Sequence, residues 1–302
     1  MSMQAAIPAP LRNGDRIAIV SPSGTVKEEF VHDAAAVLEA QGWRPYIGKH
    51  ALGKVGTFSG TADERFADLS EALLEPSVRA VFCARGGYGA VHLLERLAKL
   101  PLAADPKWLI GYSDISALHA LMHSKGVASI HGPMAKHLST FGGEDDDAQA
   151  LFRTLRGEMP SFSIDSHPFN HPGYAKGPII GGNLAVIMGL LSTPYDVVRP
   201  HSILFVEDIS EPVYKVERQF YQLHLSGALS RIKGLVLGQF TEYSPDINHE
   251  SMESMIEKIL RPYRIPVVFN APIGHVDHNV PVVSGAIATL SVDSTRSQLS
   301  YL

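Results

Sequence analysis

The run Trp108-Leu109-Ile110-Gly111-Tyr112-Ser113-Asp114 carries an apolar strand directly into a serine, and Ile115-Ser116-Ala117-Leu118 opens a helix at once. A strand feeding straight into a helix is half of a βαβ unit. The same alternation extends outward on both sides. Arg16-Ile17-Ala18-Ile19-Val20 reads as a buried strand and Ser21-Pro22-Ser23-Gly24 as a turn. Residues 26–41 have helical spacing that Gly42 stops, and residues 44–47 form a weaker strand. Thr61-Ala62-Asp63-Glu64 has the spacing of a capping box and opens a helix to about Leu74. A strand over 78–84, a glycine-rich turn at Arg85-Gly86-Gly87-Tyr88-Gly89 and a helix over 90–99 follow. Beyond the opening run come a helix over 114–124 and a strand over 127–131. Strands alternating with helices of about 10–15 residues predict a parallel sheet covered on both faces. Such sheets carry their sites at the carboxyl ends of the strands, where loops and helix N-termini converge.

Composition bounds the function. A length of 302 residues suggests two domains at roughly 150 residues each. Hydrophobic residues at 45% and charged residues at 19% fit a packed globular chain rather than a disordered one. The net charge of −5 argues against a general nucleic-acid binder, which needs a basic stripe to neutralise phosphates. The single cysteine, Cys83, excludes an internal disulfide and any multi-cysteine metal centre. Its apolar setting, Val81-Phe82-Cys83-Ala84, predicts a buried and inert thiol. No apolar run is long enough to span a membrane, and residues 1–10 lack the features of a secretory signal, so a cytoplasmic location is expected.

From about Phe141 the pattern changes. Glu144-Asp145-Asp146-Asp147 reads as a solvated charge run starting a short helix, and residues 160–178 as a linker with irregular strands. The boundary is drawn there, giving domains 1–165 and 166–302. In the second half, the expected elements are a helix over 182–191, a strand over 203–206, and the helix Val213–Leu225. A strand over 235–239, the helix Met252–Leu260 and short strands from Val267 onward complete it.

Four segments could carry chemistry. Ser113 on a tight strand-to-helix turn has the logic of a nucleophile elbow, although Ile115 replaces the second glycine of G-x-S-x-G. The competing reading makes Ser113 or Asp114 a helix N-cap. The 85–89 turn can bring backbone N–H groups close to an anion, or can be a turn and nothing more. Glu207 and Asp208 end the apolar strand that begins at Ile203, where a carboxylate could orient a histidine. His275 and His278, in Ala271-Pro272-Ile273-Gly274-His275-Val276-Asp277-His278, are both candidates for a general base. His119 and His123, four apart on one helix, have zinc-binding spacing but lack the glutamate of H-E-x-x-H.

Taken together and in order, these segments resemble the LD-carboxypeptidase family, serine peptidase family S66. The resemblance runs through Ile17-Ala18-Ile19-Val20-Ser21-Pro22-Ser23-Gly24, Arg85-Gly86-Gly87-Tyr88-Gly89 and Gly111-Tyr112-Ser113-Asp114. It continues through His131-Gly132-Pro133-Met134, Gly181-Gly182-Asn183-Leu184, Glu207-Asp208 with Tyr214-Lys215-Val216-Glu217-Arg218, and Gly274-His275. It implies an N-terminal flavodoxin- or Rossmann-like α/β domain, a smaller β-rich C-terminal α/β domain, and an active site in a cleft between them. It implies a Ser–His–Glu triad at Ser113, His275 and Glu207, and so selects His275 over His278. The oxyanion would be met by the backbone N–H groups of Gly87 and Asp114, and Tyr88 and Asn183 could line the substrate cleft. The substrate it implies is a murein tetrapeptide losing its terminal D-alanine during cytoplasmic cell-wall recycling, with no metal, no organic cofactor and a possible homodimer.

Two alternatives stay open at this stage. Related S66 enzymes hydrolyse peptide–nucleotide antibiotics of the microcin C type and confer immunity; the resemblance associates them with extra loop sequence, for which the stretch between Gly181 and Glu207 leaves little room. The other alternative is a non-catalytic two-lobed protein closing on a small anionic ligand.

Overall fold

The computed structural model describes residues 5–302. Along the chain the strands are β1 (Arg16–Val20), β2 (Arg44–Ile47), β3 (Val78–Cys83), β4 (Trp108–Gly111), β5 (Ser129–His131), β6 (Phe162–Asp165) and β7 (Gly173–Asn183). They continue with β8 (Ile203–Ile209), β9 (Gly234–Thr241), β10 (Val267–Val268), β11 (Val282–Ser284), β12 (Ile287–Val292) and β13 (Arg296–Tyr301). The α-helices are α1 (Glu28–Ala40), α2 (Ala62–Leu74), α3 (Leu94–Leu97), α4 (Ser116–Ser124), α5 (Ala135–Phe141), α6 (Asp146–Leu155), α7 (Leu184–Gly189), α8 (Val213–Leu225) and α9 (Met252–Leu260).

These elements fall into two compact units. The first comprises Ala5–Pro160 together with Val280–Ser284; the second comprises Ser161–Asn279 and Gly285–Leu302. In the first, the strands pair in parallel in the order β2-β1-β3-β4-β5, and β11 adds one antiparallel strand beside β5. That is the doubly wound, flavodoxin-like order, in which the loops after β1 and β3 leave in opposite directions and open a crevice at the carboxyl edge. Helices α1 and α5 pack together, while α2, α3 and α4 form a separate group, so the sheet is sandwiched. Residues 17–20 of β1 and 80–83 of β3 are fully buried, as expected of strands covered on both faces. Cys83 ends one of them, and burial drives its thiol pKa far up, which leaves it inert. The capping box at the start of α2 forms as read, with Thr61 and Glu64 bonding each other's backbone N–H groups.

The second unit is built on a seven-stranded mixed sheet in the order β10-β9-β8-β7-β12-β13-β6. Strands β7 to β10 pair in parallel, and β7, β12, β13 and β6 in antiparallel. The structure corrects three expectations. The strands expected within residues 160–178 are regular and leave less linker than read: β6 and the first half of β7 lie in the antiparallel part of the sheet, where exposed and buried residues mix and hide the apolar signal. The helix expected from Gly182 begins only at Leu184, because β7 runs on to Asn183. The third lies in the first unit: the acidic run opens α6 as expected but is not a uniformly solvated face, since Asp145 caps that helix and Asp147 is buried. A smaller difference falls in the same unit, where residues 90–97 form a 3-10 turn and one α-turn instead of a continuous helix. Among the described residues, no helix is long and apolar enough to cross a membrane.

Gly181 fixes how β7 meets β8. With φ +156°, its α-carbon lies so close to β8 that a β-carbon would stand 1.8 Å from the Phe205 carbonyl oxygen. Gly181→Ala is therefore expected to destabilise the second unit by about 4 kcal/mol or more, measured by urea denaturation; a loss below about 1 kcal/mol would contradict this packing.

Candidate active site

At the end of β4 the chain turns sharply. Gly111 has φ +153°, and Ser113 sits in the left-handed region at φ +66°. A non-glycine residue there stores on the order of 1 kcal/mol of strain, which the surrounding packing must hold. Ser113–Ile115 forms a single 3-10 turn, and α4 begins immediately after it. Neither helical segment has a side-chain cap, so Ser113 and Asp114 are not acting as N-caps. The Asp114 carboxylate instead accepts hydrogen bonds from the Ser23 hydroxyl (2.6 Å) and from the Ala90 backbone N–H (2.8 Å).

The glycine turn after β3 lies directly against this elbow. A β-carbon on Gly86 would come within 2.7 Å of the Ser113 β-carbon and 3.0 Å of its Oγ. Glycine is thus required by close approach, which separates this segment from an ordinary turn. Gly87, at φ +107°, packs its α-carbon side against Gly24. Tyr88 projects outward, 60% exposed, with its ring edge-on to His92 and tilted against Phe58.

His119 and His123 do not behave as a metal pair. The buried His119 ring donates through Nε2–H to the Gly111 carbonyl (2.8 Å) and accepts the Ser129 hydroxyl at Nδ1 (2.8 Å). Burial, reinforced by His131, pushes its pKa down to about 3, so the ring is neutral and serves to pin the start of the elbow. Among the described residues, His137, Asp145 and Asp147 bring ligand atoms within 4.8 Å of one another. Two of the three already have structural work: His137 bonds Asp145, whose Oδ1 also caps α6.

In the second unit, Glu207 and His275 meet. Glu207 lies in β8 with no exposed surface, and its Oε2 accepts a hydrogen bond from His275 Nδ1–H at 2.7 Å. With Nδ1 carrying the proton toward the carboxylate, Nε2 is left as the basic nitrogen. Two glycines permit this approach. A β-carbon at Gly274 would stand 2.9 Å from that of Glu207, and one at Gly238 would stand 3.1 Å from it. The histidine loop is tied back on itself by Gly274 N–H donating to Asn279 Oδ1 (3.0 Å). His278 lies on the exposed side of the same loop. Between the two histidines that the segment offered, the contact with Glu207 belongs to His275.

Asp208 points the other way along β8. It accepts from Asn183 Nδ2 (2.8 Å) and from the backbone N–H groups of Ala185 and Ile209 (2.9 Å each). Burial, with the Glu207 charge adding to it, raises its carboxyl pKa to about 6 despite those bonds. Asn183 is 5% exposed, and its amide oxygen caps α7 through Val186 N–H. Of the residues read from the sequence, the first unit therefore groups Ser113, Asp114, Gly87 and Tyr88, and the second groups Glu207, His275 and Asn183.

Comparison with known proteins identifies the family. Residues 17–132 match the family model of the LD-carboxypeptidase N-terminal domain, and residues 176–290 match that of the LD-carboxypeptidase C-terminal domain. A murein tetrapeptide carboxypeptidase of Pseudomonas aeruginosa (strain PAO1) is 31% identical over 93% of this chain and 94% of its own. The crystal structure of muramoyltetrapeptide carboxypeptidase from Oxalobacter formigenes superposes with a TM-score of 0.83 at 31% identity, covering 94% of this chain and 97% of that one. The microcin C7 self immunity protein MccF shares the fold, with a TM-score of 0.84 at 21% identity over 98% of both chains. With both domains matched in order and relatives above 30% identity along nearly the whole length, the chain belongs to the LD-carboxypeptidase family and is a serine carboxypeptidase.

Proposed function

We propose that the protein is an LD-carboxypeptidase that removes the terminal D-alanine from a murein tetrapeptide, through a triad of Ser113, His275 and Glu207, in the cytoplasmic recycling of cell-wall peptides. The observation that carries this reading is the pairing of the fully buried Glu207 with His275 Nδ1, which leaves Nε2 as the base. The strained backbone of Ser113 at the end of β4 supports the other half, because it presents a hydroxyl at the carboxyl edge of the sheet. The substrate is supported by the names of relatives about 31% identical along nearly the full length.

In this mechanism His275 Nε2 takes the proton from Ser113 Oγ as the oxygen attacks the carbonyl of the scissile bond. The negative charge that forms on the carbonyl oxygen is met by the backbone N–H groups of Gly87 and Asp114. Glu207 holds the imidazole in one tautomer and stabilises it once protonated, without taking the proton itself. His275 then gives its proton to the departing amine of D-alanine, and the carbon–nitrogen bond breaks. Water, deprotonated by the same nitrogen, attacks the acyl-serine ester and returns Ser113 to its hydroxyl form. Tyr88, exposed beside the elbow, is the proposed substrate contact. Asn183 has both ends of its amide engaged, and its proposed role is to hold the strand end that presents Glu207.

Ser113→Ala is expected to lower release of alanine from a defined murein tetrapeptide by about 10⁴-fold or more, with an unchanged circular dichroism spectrum. Mass spectrometry of the peptide measures it, and retained activity would remove Ser113 from the mechanism. An aminoacyl-sulfamoyl adenylate in the same assay tests the antibiotic-directed reading; a much higher kcat/KM on it would overturn the murein substrate.

Asp208 generates a pH signature of its own. The folded chain holds its proton up to about 6, against an ordinary 3.8 once unfolded. The folded state therefore binds more protons between those values, and the stability tied to this carboxyl falls as pH rises from about 4 to about 6. Asp208→Asn removes that dependence. The Tm of the variant minus that of the native chain should climb across this interval and level off above it. A constant difference would contradict the buried carboxyl.

A further inference from the structure

Three backbone segments of the first unit converge beside Ser113: residues 21–24 after β1, 85–89 after β3, and the turn after β4. They touch main chain to main chain. Gly24 N–H donates to the Gly86 carbonyl (2.9 Å), and a β-carbon on Gly86 would lie 3.2 Å from the Asp114 nitrogen. No side chain fits at Gly86, so the spacing there has to be set from outside.

Two buried charged groups span the first two segments. Asp114 takes the Ser23 hydroxyl from one and the Ala90 N–H, just past the other. Arg65, from α2, takes the carbonyls: its Nη1 donates to Pro22 (2.6 Å) and to Gly89 (2.9 Å). Its Nε donates to the Gly60 carbonyl (3.2 Å), and its Nη2 lies 3.4 Å from His92 Nδ1. Arg65 is 3% exposed, and its guanidinium lies over the Phe58 ring, 4.9 Å from its centroid. The Asp114 carboxylate is the anion that offsets its burial. An arginine so enclosed, spending its donors on main-chain carbonyls rather than on a carboxylate, is a costly arrangement to keep without a geometric purpose.

We propose that Arg65 is a positioning residue for the oxyanion site. The two hydrogens of its planar Nη1 group, held in place by the Nε bond to Gly60, fix how the Pro22 and Gly89 carbonyls stand to one another, and with it the direction in which the Gly87 N–H points. This rests on the Ser113 reading above. Lysine keeps the charge but has a freely rotating ammonium and no Nε to anchor on Gly60, and so does not hold both carbonyls in one plane.

The test uses the purified full chain and a murein tetrapeptide, with kcat and KM measured separately and expressed per folded molecule. Misplacing an oxyanion donor acts on the transition state alone, so Arg65→Lys should lower kcat by about 10–100-fold and leave KM within about twofold. Ser23→Ala, which cuts a different strut of the same brace without adding bulk, should lower kcat by about threefold or more, again with KM unchanged. It carries the test if Arg65→Lys does not fold. In Arg65→Ala, millimolar guanidinium chloride should recover part of kcat where equal sodium chloride does not. A kcat per folded molecule that stays at the native value in Ser23→Ala and in any folded Arg65 variant overturns the proposal, as does an equal fall in kcat/KM that comes entirely from KM. Ser113→Ala run alongside separates the two claims: if it retains activity, the serine reading fails, whatever Arg65 does.

Discussion

A carboxylate with no exposed surface must be paired, and in this protein Glu207 is paired with His275 at 2.7 Å. The histidine loop has to come against the end of β8 for that bond to form, which is why Gly238 and Gly274 stand where β-carbons would collide with Glu207. The contact also decides the tautomer, and with it the nitrogen that can act as a base. Remove the carboxylate and the ring loses both its orientation and the charge that would stabilise its protonated form. Everything proposed for catalysis begins from this bond.

In the proposed mechanism the first unit solves a different problem, which is to present a hydroxyl and two N–H groups on bare backbone. Parallel strands in a doubly wound order leave a crevice where the loops after β1 and β3 part, and the elbow after β4 reaches the same edge. Glycines let these segments touch, at the expense of side chains that would otherwise pack them in place. The neutral, buried His119 at the Gly111 carbonyl and the Asp114 and Arg65 ties are what restore rigidity. Strain at Ser113 is tolerated because so many neighbours over-determine its position.

Much of this was legible in the sequence. Continuous apolar runs marked the parallel strands, and helices Val213–Leu225 and Met252–Leu260 stand at their expected bounds because their apolar periodicity is regular. Ser113, the pair Glu207 and Asp208, and the pair His275 and His278 stood out because each comes after an apolar run, while the choice within the pairs came from the family resemblance. The extent of β7 was hidden, since its first residues alternate exposure and its last are glycines whose requirement comes from a strand distant in sequence. Arg65 was invisible for a related reason. It occupies a helix whose pattern predicts a polar position, and only the fold turns its guanidinium inward among carbonyls 24 to 43 residues away. Asp114 was read for its backbone N–H and its capping potential, while its carboxylate does something that local sequence does not encode.

The central claim is that His275, held by Glu207, activates Ser113. Labelling with a fluorophosphonate, followed by peptide mapping and rate measurement in the native chain and in Glu207→Gln, tests it most directly. The account predicts one adduct, on the peptide containing Ser113, forming about 100-fold or more slowly in the variant. Modification of a different residue, or equal rates in the two proteins, would contradict it.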